Sequence, residues 1–384
     1  MKRLIIILAI IMIVGIFAGC SKQNAADADE IRIGLNYELS GDNATYGNSS
    51  VEGIELAVEQ INAEGGINGK KIKLIKYDNK SEPAEATTLA TRLMTQDGVI
   101  AVLGPATSGA FKATIPVAIQ NKIPVASGSA TADDVTVDSS GVKEYAFRIC
   151  YSDSYQGTAM ANFALNNLSA KKAVIIMDSS SDYGKGLAEN FTKTFEEGGG
   201  TIVAQEAYVA KDTDFNAILT KIKGEEFDVI FIPGYYNEAG LIIKQARAQG
   251  IDVPILGADG FDSPVLLELA GADALNNVYF SNHYSSLDEN PVVVEFIEQF
   301  KAKYNKEPDA FNALGYDLAR FVADAISRAE KLDGESVKKA LEETTDFEGV
   351  TGTFSIDENH NVIKDIIVIE LKDGVQHSSI RVEN

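Results

Sequence analysis

Apolar residues recur along the chain in two alternating periods, one suited to strands and one to helices. Ile31–Leu39 (IRIGLNYEL) is strand-like, and helical spacing follows at Val51, Ile54, Ala57, Val58 and Ile61 within Tyr46–Glu64, stopped by Gly65-Gly66. Lys71–Asp78 (KIKLIKYD) alternates as a half-buried strand, and Pro83 opens a helix that runs to about Gln96. Val99–Leu103 is wholly apolar, the pattern of a parallel strand covered on both faces. It ends in the turn Gly104–Gly109, which opens a helix toward Gln120, and Pro124–Ser127 is the next strand.

A second series begins near Tyr151. It predicts helices at 153–168, 185–197, Phe215–Ile222, Glu238–Gln249 and Pro264–Ala270. Between them lie strands at Ala173–Met177, Thr201–Tyr208, Asp228–Ile232, Pro254–Leu256 and Asn277–Asn282. Helices at 291–305, 309–329 and Ser336–Glu343 follow, and strands at Gly352–Ile356 and Ile366–Leu371 close the pattern. Strand–helix alternation implies parallel sheets with helices on both faces, and the strands are too many for one compact sheet. Two α/β lobes are expected. No repeat of 20–50 residues recurs, which argues against a solenoid.

The first residues obey a different logic. Lys2 and Arg3 precede an uncharged run from Leu4 to Phe17, too short for a membrane span, and small residues follow. This is the make-up of a signal peptide, residues 1–19. Phe17-Ala18-Gly19-Cys20 resembles the bacterial lipobox, which implies that Cys20 is lipidated and becomes the new N-terminus. Residues 20–30, with the polar run SKQNAADADE, read as a flexible tether. Removing 1–19 leaves 365 residues and takes the net charge from −22 to −24. So acidic a body excludes nucleic acid as a partner and is repelled by anionic lipid heads, which leaves the lipid as the expected attachment. With Cys20 acylated, Cys150 has no intramolecular partner and reads as a small buried hydrophobe.

The common catalytic motifs are absent: no GxGxxG, GxxxxGK[ST], HExxH or GxSxG occurs. His283, His360 and His377 have no cysteine or carboxylate cluster at metal-ligand spacing and are expected at the surface or at edges. An enzyme, a metal and a cofactor are not expected.

Several blocks in order carry a family resemblance: GLNYELSGDNATYG (34–47), GIELAVEQINAEGGINGKKIKLIKYDN (53–79), VLGPATSGA (102–110), SSDYGKGLAENF (180–191), IPGYYNEAGLIIKQARAQG (232–250) and ILGADGF (255–261). From about Ile31 to Val368 the chain resembles the type I periplasmic binding proteins, in the leucine/isoleucine/valine-binding subgroup of ABC importers. The resemblance implies two Rossmann-like parallel-sheet lobes, 31–150 plus 284–356 and 151–283 plus 357–384, joined by three crossovers near 148–152, 281–285 and 356–366. Where the family has a disulfide, this chain carries Ser81 and Thr107.

Ser108 lies where the turn enters a helix, so its N–H and hydroxyl suit a carboxylate at the positive helix end. The resemblance implies that Ser108 and Thr131 donate to a ligand carboxylate, and that the Ser129 carbonyl and the Thr131 hydroxyl accept from its ammonium. Asp259 stands where the family's amino-acid binders carry a glutamate, and implies an ammonium partner on the second lobe. Tyr46, Tyr183, Tyr235 and Phe311 occupy positions that line the family's site, with Ala106 and Thr107 nearby; Tyr236 is an alternative cleft edge. The function implied is an extracytoplasmic, lipid-anchored, monomeric receptor that delivers a free aliphatic amino acid to an ABC permease by hinge closure. The alternative is a sensory binder of the same fold that recognises an amide or another amino-acid-like ligand.

Overall fold

The computed structural model describes residues 30–382. The leader, Cys20 and all of the tether but Glu30 lie outside the described residues. Strands β1 (Glu30–Tyr37), β2 (Lys71–Asp78), β3 (Ala101–Leu103) and β4 (Val125–Ser127) alternate with helices α1 (Ala44–Ala63), α2 (Pro83–Thr95) and α3 (Ser108–Asn121). A two-stranded hairpin, β5 (Val137–Asp138) and β6 (Gly141–Val142), precedes β7 (Ala146–Arg148). The first sheet has the order β2-β1-β3-β4-β7, with the β1–β3, β3–β4 and β4–β7 pairings parallel.

Helix α4 (Asp153–Asn166) leads into β8 (Lys172–Asp178), α5 (Asp182–Glu197), β9 (Thr201–Tyr208), α6 (Asn216–Ile222), β10 (Val229–Phe231), α7 (Tyr236–Ala248), β11 (Ile255–Gly257), α8 (Pro264–Ala270) and β12 (Val278–Asn282). Helices α9 (Pro291–Tyr304), α10 (Ala310–Arg328) and α11 (Gly334–Glu342) follow. They are succeeded by the hairpin β13 (Phe347–Gly349)–β14 (Gly352–Phe354) and by β15 (Ile366–Lys372) and β16 (Val375–Val382). The second sheet runs β16-β15-β12-β11-β10-β8-β9. Its β9–β8–β10–β11–β12 core is parallel, whereas β15 and β16 are antiparallel additions at one edge.

The sequence pattern and the structure agree on the two α/β layers and differ at the margins. The short β7, the hairpins and β16 are not foreseen. β16 (VQHSSIRV) is an edge strand, largely exposed, and its polar composition gives no apolar period. Gly352–Phe354 pairs only with β13 and joins neither large sheet.

The chain passes between the sheets three times, at 149–152, 283–290 and 355–365. After the second passage α10 packs along α1, whose lobe carries the first sheet. Glycines permit this contact: a Cβ on Gly53 would stand 1.9 Å from Asn312 O, and one on Gly315 2.1 Å from Ser50 O. The crossovers meet in a buried knot. Tyr151 stacks on His283 with ring centroids 3.7 Å apart. Lys364 donates to Thr351 Oγ1 (2.8 Å), and Thr351 donates in turn to Asp317 Oδ2 (2.7 Å). Burial pushes Lys364 down to about 8 and the Cys150 thiol up to about 12. Cys150 is therefore a buried, inert thiol.

The lobes also meet at the start of α10. Asp309 caps that helix, accepting from Asn312 N (2.9 Å) and from Ser49 Oγ (2.6 Å). Asp262, from the second-sheet lobe, accepts from Ala310 N (2.8 Å) and from Asn282 Nδ2 (2.9 Å). Burial, and then the charge of Asp262, raise Asp309 from the ordinary 3.8 to about 7. The folded protein thus keeps a proton that the unfolded chain releases above pH 3.8, and this contribution to stability is lost as pH rises through about 7. Asp309→Asn should flatten the fall in melting temperature between about pH 4 and about pH 7, measured by thermal scans. Equal slopes for the two proteins would contradict the assignment.

Candidate functional site

The first wall of the cleft grows from the ends of β1, β3 and β4. Glu38 follows β1 and is fully buried. It accepts from Ala106 N (3.0 Å), Thr107 N (3.1 Å) and Thr107 Oγ1 (2.8 Å), which pins the loop leading into α3. Burial raises its carboxyl above the usual range, against the lowering effect of these bonds. The loop needs Gly104 at φ +84°, and a Cβ there would lie 2.5 Å from Asn36 O. Ser129 Oγ donates to Ala106 O (2.9 Å), tying the β4 loop to the same turn. Ser108 Oγ accepts from Ala132 N (3.0 Å), so its own proton is left to donate at the N-terminus of the 14-residue α3. The hydroxyl of Thr107 is already committed to Glu38.

The second wall is built around Asp259, two residues past the end of β11 and 3% exposed. Its Oδ1 accepts from Tyr183 Oη (2.7 Å) and Gln156 Nε2 (3.1 Å), and its Oδ2 lies 3.4 Å from His283 Nε2. Among the described residues no lysine or arginine pairs with it. Gln156 Nε2 also donates to Asp153 Oδ1 (3.1 Å), and burial, followed by the charge of Asp259, pushes the Asp153 carboxyl well up. Asp153 Oδ2 and Thr131 Oγ1 are buried without a hydrogen-bond partner among the described residues.

Aromatic rings close the space between the walls. Tyr183 and Tyr235 stack at 5.0 Å, Tyr46 and Phe311 at 4.3 Å, and Tyr46 meets Tyr235 edge-on at 5.7 Å. Tyr46, from the first lobe, donates to Gly260 O of the second (2.5 Å). Outside the rings, Tyr236 Oη and Asn237 Nδ2 each donate to Asp42 O at 2.7 Å. Lys112 of α3 reaches Asp182 of α5 at 2.6 Å. The cleft is shut.

Ser108, Ser129, Ala106, Thr107, Tyr46, Phe311, Tyr183, Tyr235 and Asp259 line one cavity together with Gly260. Thr131 and Tyr236, also singled out in the sequence, are not in its lining: Tyr236 lies outside the rings, and Thr131 stands behind, bound through its carbonyl to Arg148 Nη1 (2.8 Å) and Asp153 N (2.8 Å). The cavity encloses about 240 Å³, of which about 10 Å³ is open to the centre of a water molecule, so the rings nearly fill it. By the measure that gives about 240 Å³ here, spaces of about 1410 and 1320 Å³ lie nearer the crossovers; the small cavity is the one lined by both Ser108 and Asp259.

Glu38, Asp153, Gln156 and His283 are not singled out in the sequence. Asp153 follows the N-cap Ser152 and reads as an ordinary first-turn acid. The surface expectation for the histidines holds for His377 alone. His283 and His360 are buried, because each finds an aromatic face and polar partners brought by other elements. His360 stacks on Phe147 at 4.2 Å, with its ring nitrogens 3.0 Å from Ala146 O and Glu342 Oε1.

The sequence profile of the periplasmic binding protein family matches residues 30–376, and the chain belongs to that family. It is 32% identical over 336 residues to Leu/Ile/Val-binding protein homolog 3 of Brucella melitensis, spanning 87% of this chain and 89% of that one. Over 342 residues it is 31% identical to a leucine-, isoleucine-, valine-, threonine- and alanine-binding protein of Pseudomonas aeruginosa, with 89% of each chain covered. Among solved structures, the branched-chain amino acid transporter substrate-binding protein LivJ of Streptococcus pneumoniae, in complex with isoleucine, superposes with a TM-score of 0.88 at 44% identity, covering 92% of this chain and 100% of that one. A leucine-binding protein of Thermotoga maritima gives a TM-score of 0.86 at 35% identity, covering 92% of this chain and 99% of that one.

Glu38→Ala leaves two buried N–H groups unpaired and should lower stability by about 2 kcal/mol, part of their cost being offset by removal of a buried charge. Chemical denaturation measures this. An unchanged midpoint would show that the carboxylate does not hold the loop.

Proposed function

We propose that this periplasmic binding protein is an extracytoplasmic receptor that captures a free aliphatic amino acid between its lobes and hands it to an ABC permease. The observation that carries the reading is Asp259, a buried carboxylate that accepts from Tyr183 and Gln156, pairs with no lysine or arginine among the described residues, and shares one aromatic-walled cavity with Ser108 at the α3 N-terminus. A zwitterion satisfies both ends: its ammonium at Asp259, its carboxylate at the N–H and hydroxyl of Ser108. Thr131 and the carbonyl of Ser129 complete the first-lobe contacts in this reading. Tyr46, Tyr183, Tyr235 and Phe311 wall the side chain, with Ala106 and Thr107 beside them. Apolar rings on all sides favour an aliphatic group over a charged one.

The small water-accessible space means that a ligand enters only when the lobes part, and closure then buries it. In this reading residues 31–150 plus 284–356 form one rigid lobe, and 151–283 plus 357–384 the other, turning about the three crossovers. Isoleucine in the Streptococcus pneumoniae relative supports an aliphatic ligand here. The lipobox-like Phe17-Ala18-Gly19-Cys20 supports anchoring by lipid at Cys20, which would keep a monomeric receptor beside its permease.

A thermal-shift screen of the twenty amino acids tests the function. A cognate ligand at a hundred times its dissociation constant adds about 2.7 kcal/mol of stability, a clear rise in melting temperature. Asp259→Ala should cut that ligand's affinity at least about tenfold by calorimetry, for the loss of one charge-assisted hydrogen bond. No stabilising amino acid, or an Ala variant that binds as tightly, would refute the reading.

A further inference from the structure

His283 stands immediately after β12, at the start of the second crossover, and its buried ring reaches Asp259 from behind the cleft. Nε2 lies 3.4 Å from Asp259 Oδ2, while Nδ1 is buried with no partner among the described residues. One face of the ring is covered by Tyr151 of the first crossover, at 3.7 Å and 17°. A neutral imidazole carries a single N–H. On Nδ1 that hydrogen would be a buried, unpaired donor, and the Nε2 lone pair would oppose a carboxylate oxygen. On Nε2 it donates to Asp259, and the unpaired atom is only a lone pair. Burial keeps the ring neutral, pushing it down to about 4 in spite of the neighbouring carboxylate.

We propose that His283 is a positioning residue for ammonium recognition, a neutral Nε2–H donor that fixes the second oxygen of Asp259 without cancelling its charge. The inference rests on the amino-acid reading given above. Tyr183 and Gln156 both bond Oδ1, so without His283 the plane of the short Asp259 side chain is held at one oxygen only. A lysine or arginine in the same place would hold Oδ2 equally well but would compensate the charge that the ligand's amine is meant to meet. His283 also belongs to a crossover and is stacked on another, so the carboxylate that takes the ammonium is tied to the segments about which the lobes turn.

Calorimetry with two probes tests this: L-isoleucine and its des-amino analogue 3-methylpentanoate. His283→Leu keeps bulk and removes the donor; His283→Gln returns an amide N–H close to the position of Nε2. His283→Leu should weaken isoleucine by about tenfold, the worth of one hydrogen bond to a charged group, and leave 3-methylpentanoate unaffected. His283→Gln should recover most of the loss. An equal loss for both probes, or none, overturns the proposal. Nitrogen NMR of the unaltered protein, labelled in histidine, tests the contact independently: His283 must appear as the neutral Nε2–H tautomer, and the Nδ1–H tautomer or an imidazolium at neutral pH refutes the contact. If the unaltered protein binds no amino acid, the proposed function falls by itself, while the spectrum still decides how Asp259 is held.

Discussion

A buried carboxylate with no lysine or arginine to pair with among the described residues constrains everything around it, and in this protein that carboxylate is Asp259. Burying an ion costs several kcal/mol unless a countercharge or well-placed donors replace water. Here the chain supplies donors only: a phenol, an amide and an imidazole, on three different elements. They orient the group and leave its charge open. The nearby Asp153 responds to the same field, its carboxyl pushed toward the protonated form by burial and by Asp259. Under the proposed function an external cation completes this site, and the opposing helix end suits one with a carboxylate attached.

The remainder of the fold sets these two half-sites on separate bodies. Ser108 and its loop ride on the first sheet, held from beneath by Glu38; Asp259 rides on the second. Contacts across the cleft are both polar and aromatic: Tyr46 to Gly260 O and to the rings of Tyr235 and Tyr236, Tyr236 and Asn237 to Asp42, Lys112 to Asp182, and Asp262 to the first N–H of α10. The exposed Lys112–Asp182 pair contributes little. A ligand shifts the balance between open and closed lobes only through contacts that it makes better in one of them.

The alternation of strands and helices was legible because buried parallel strands and amphipathic helices leave strong periods. What escaped were β7, three residues long, and the polar edge strand β16, where neither burial nor alternation marks the sequence. Ser108 and Asp259, which line one cavity, were legible as candidates because Ser108 follows a strand and opens a helix and Asp259 stands at a position the family resemblance marks. Their supports could not. Glu38 meets Ala106 across 68 positions and Gln156 meets Asp259 across 103, so their roles exist only in the folded chain. His283 is the sharpest case: with no motif around it, it reads as a surface residue, yet it lies buried behind the site.

The most direct measurement of ammonium capture by Asp259 is a crystal structure of the protein with bound isoleucine. The expected result is closed lobes, an ammonium nitrogen about 2.7–2.9 Å from a carboxylate oxygen of Asp259, and the ligand carboxylate at Ser108. An amino group turned away from Asp259, or a ligand held on one lobe with the cleft open, would contradict it.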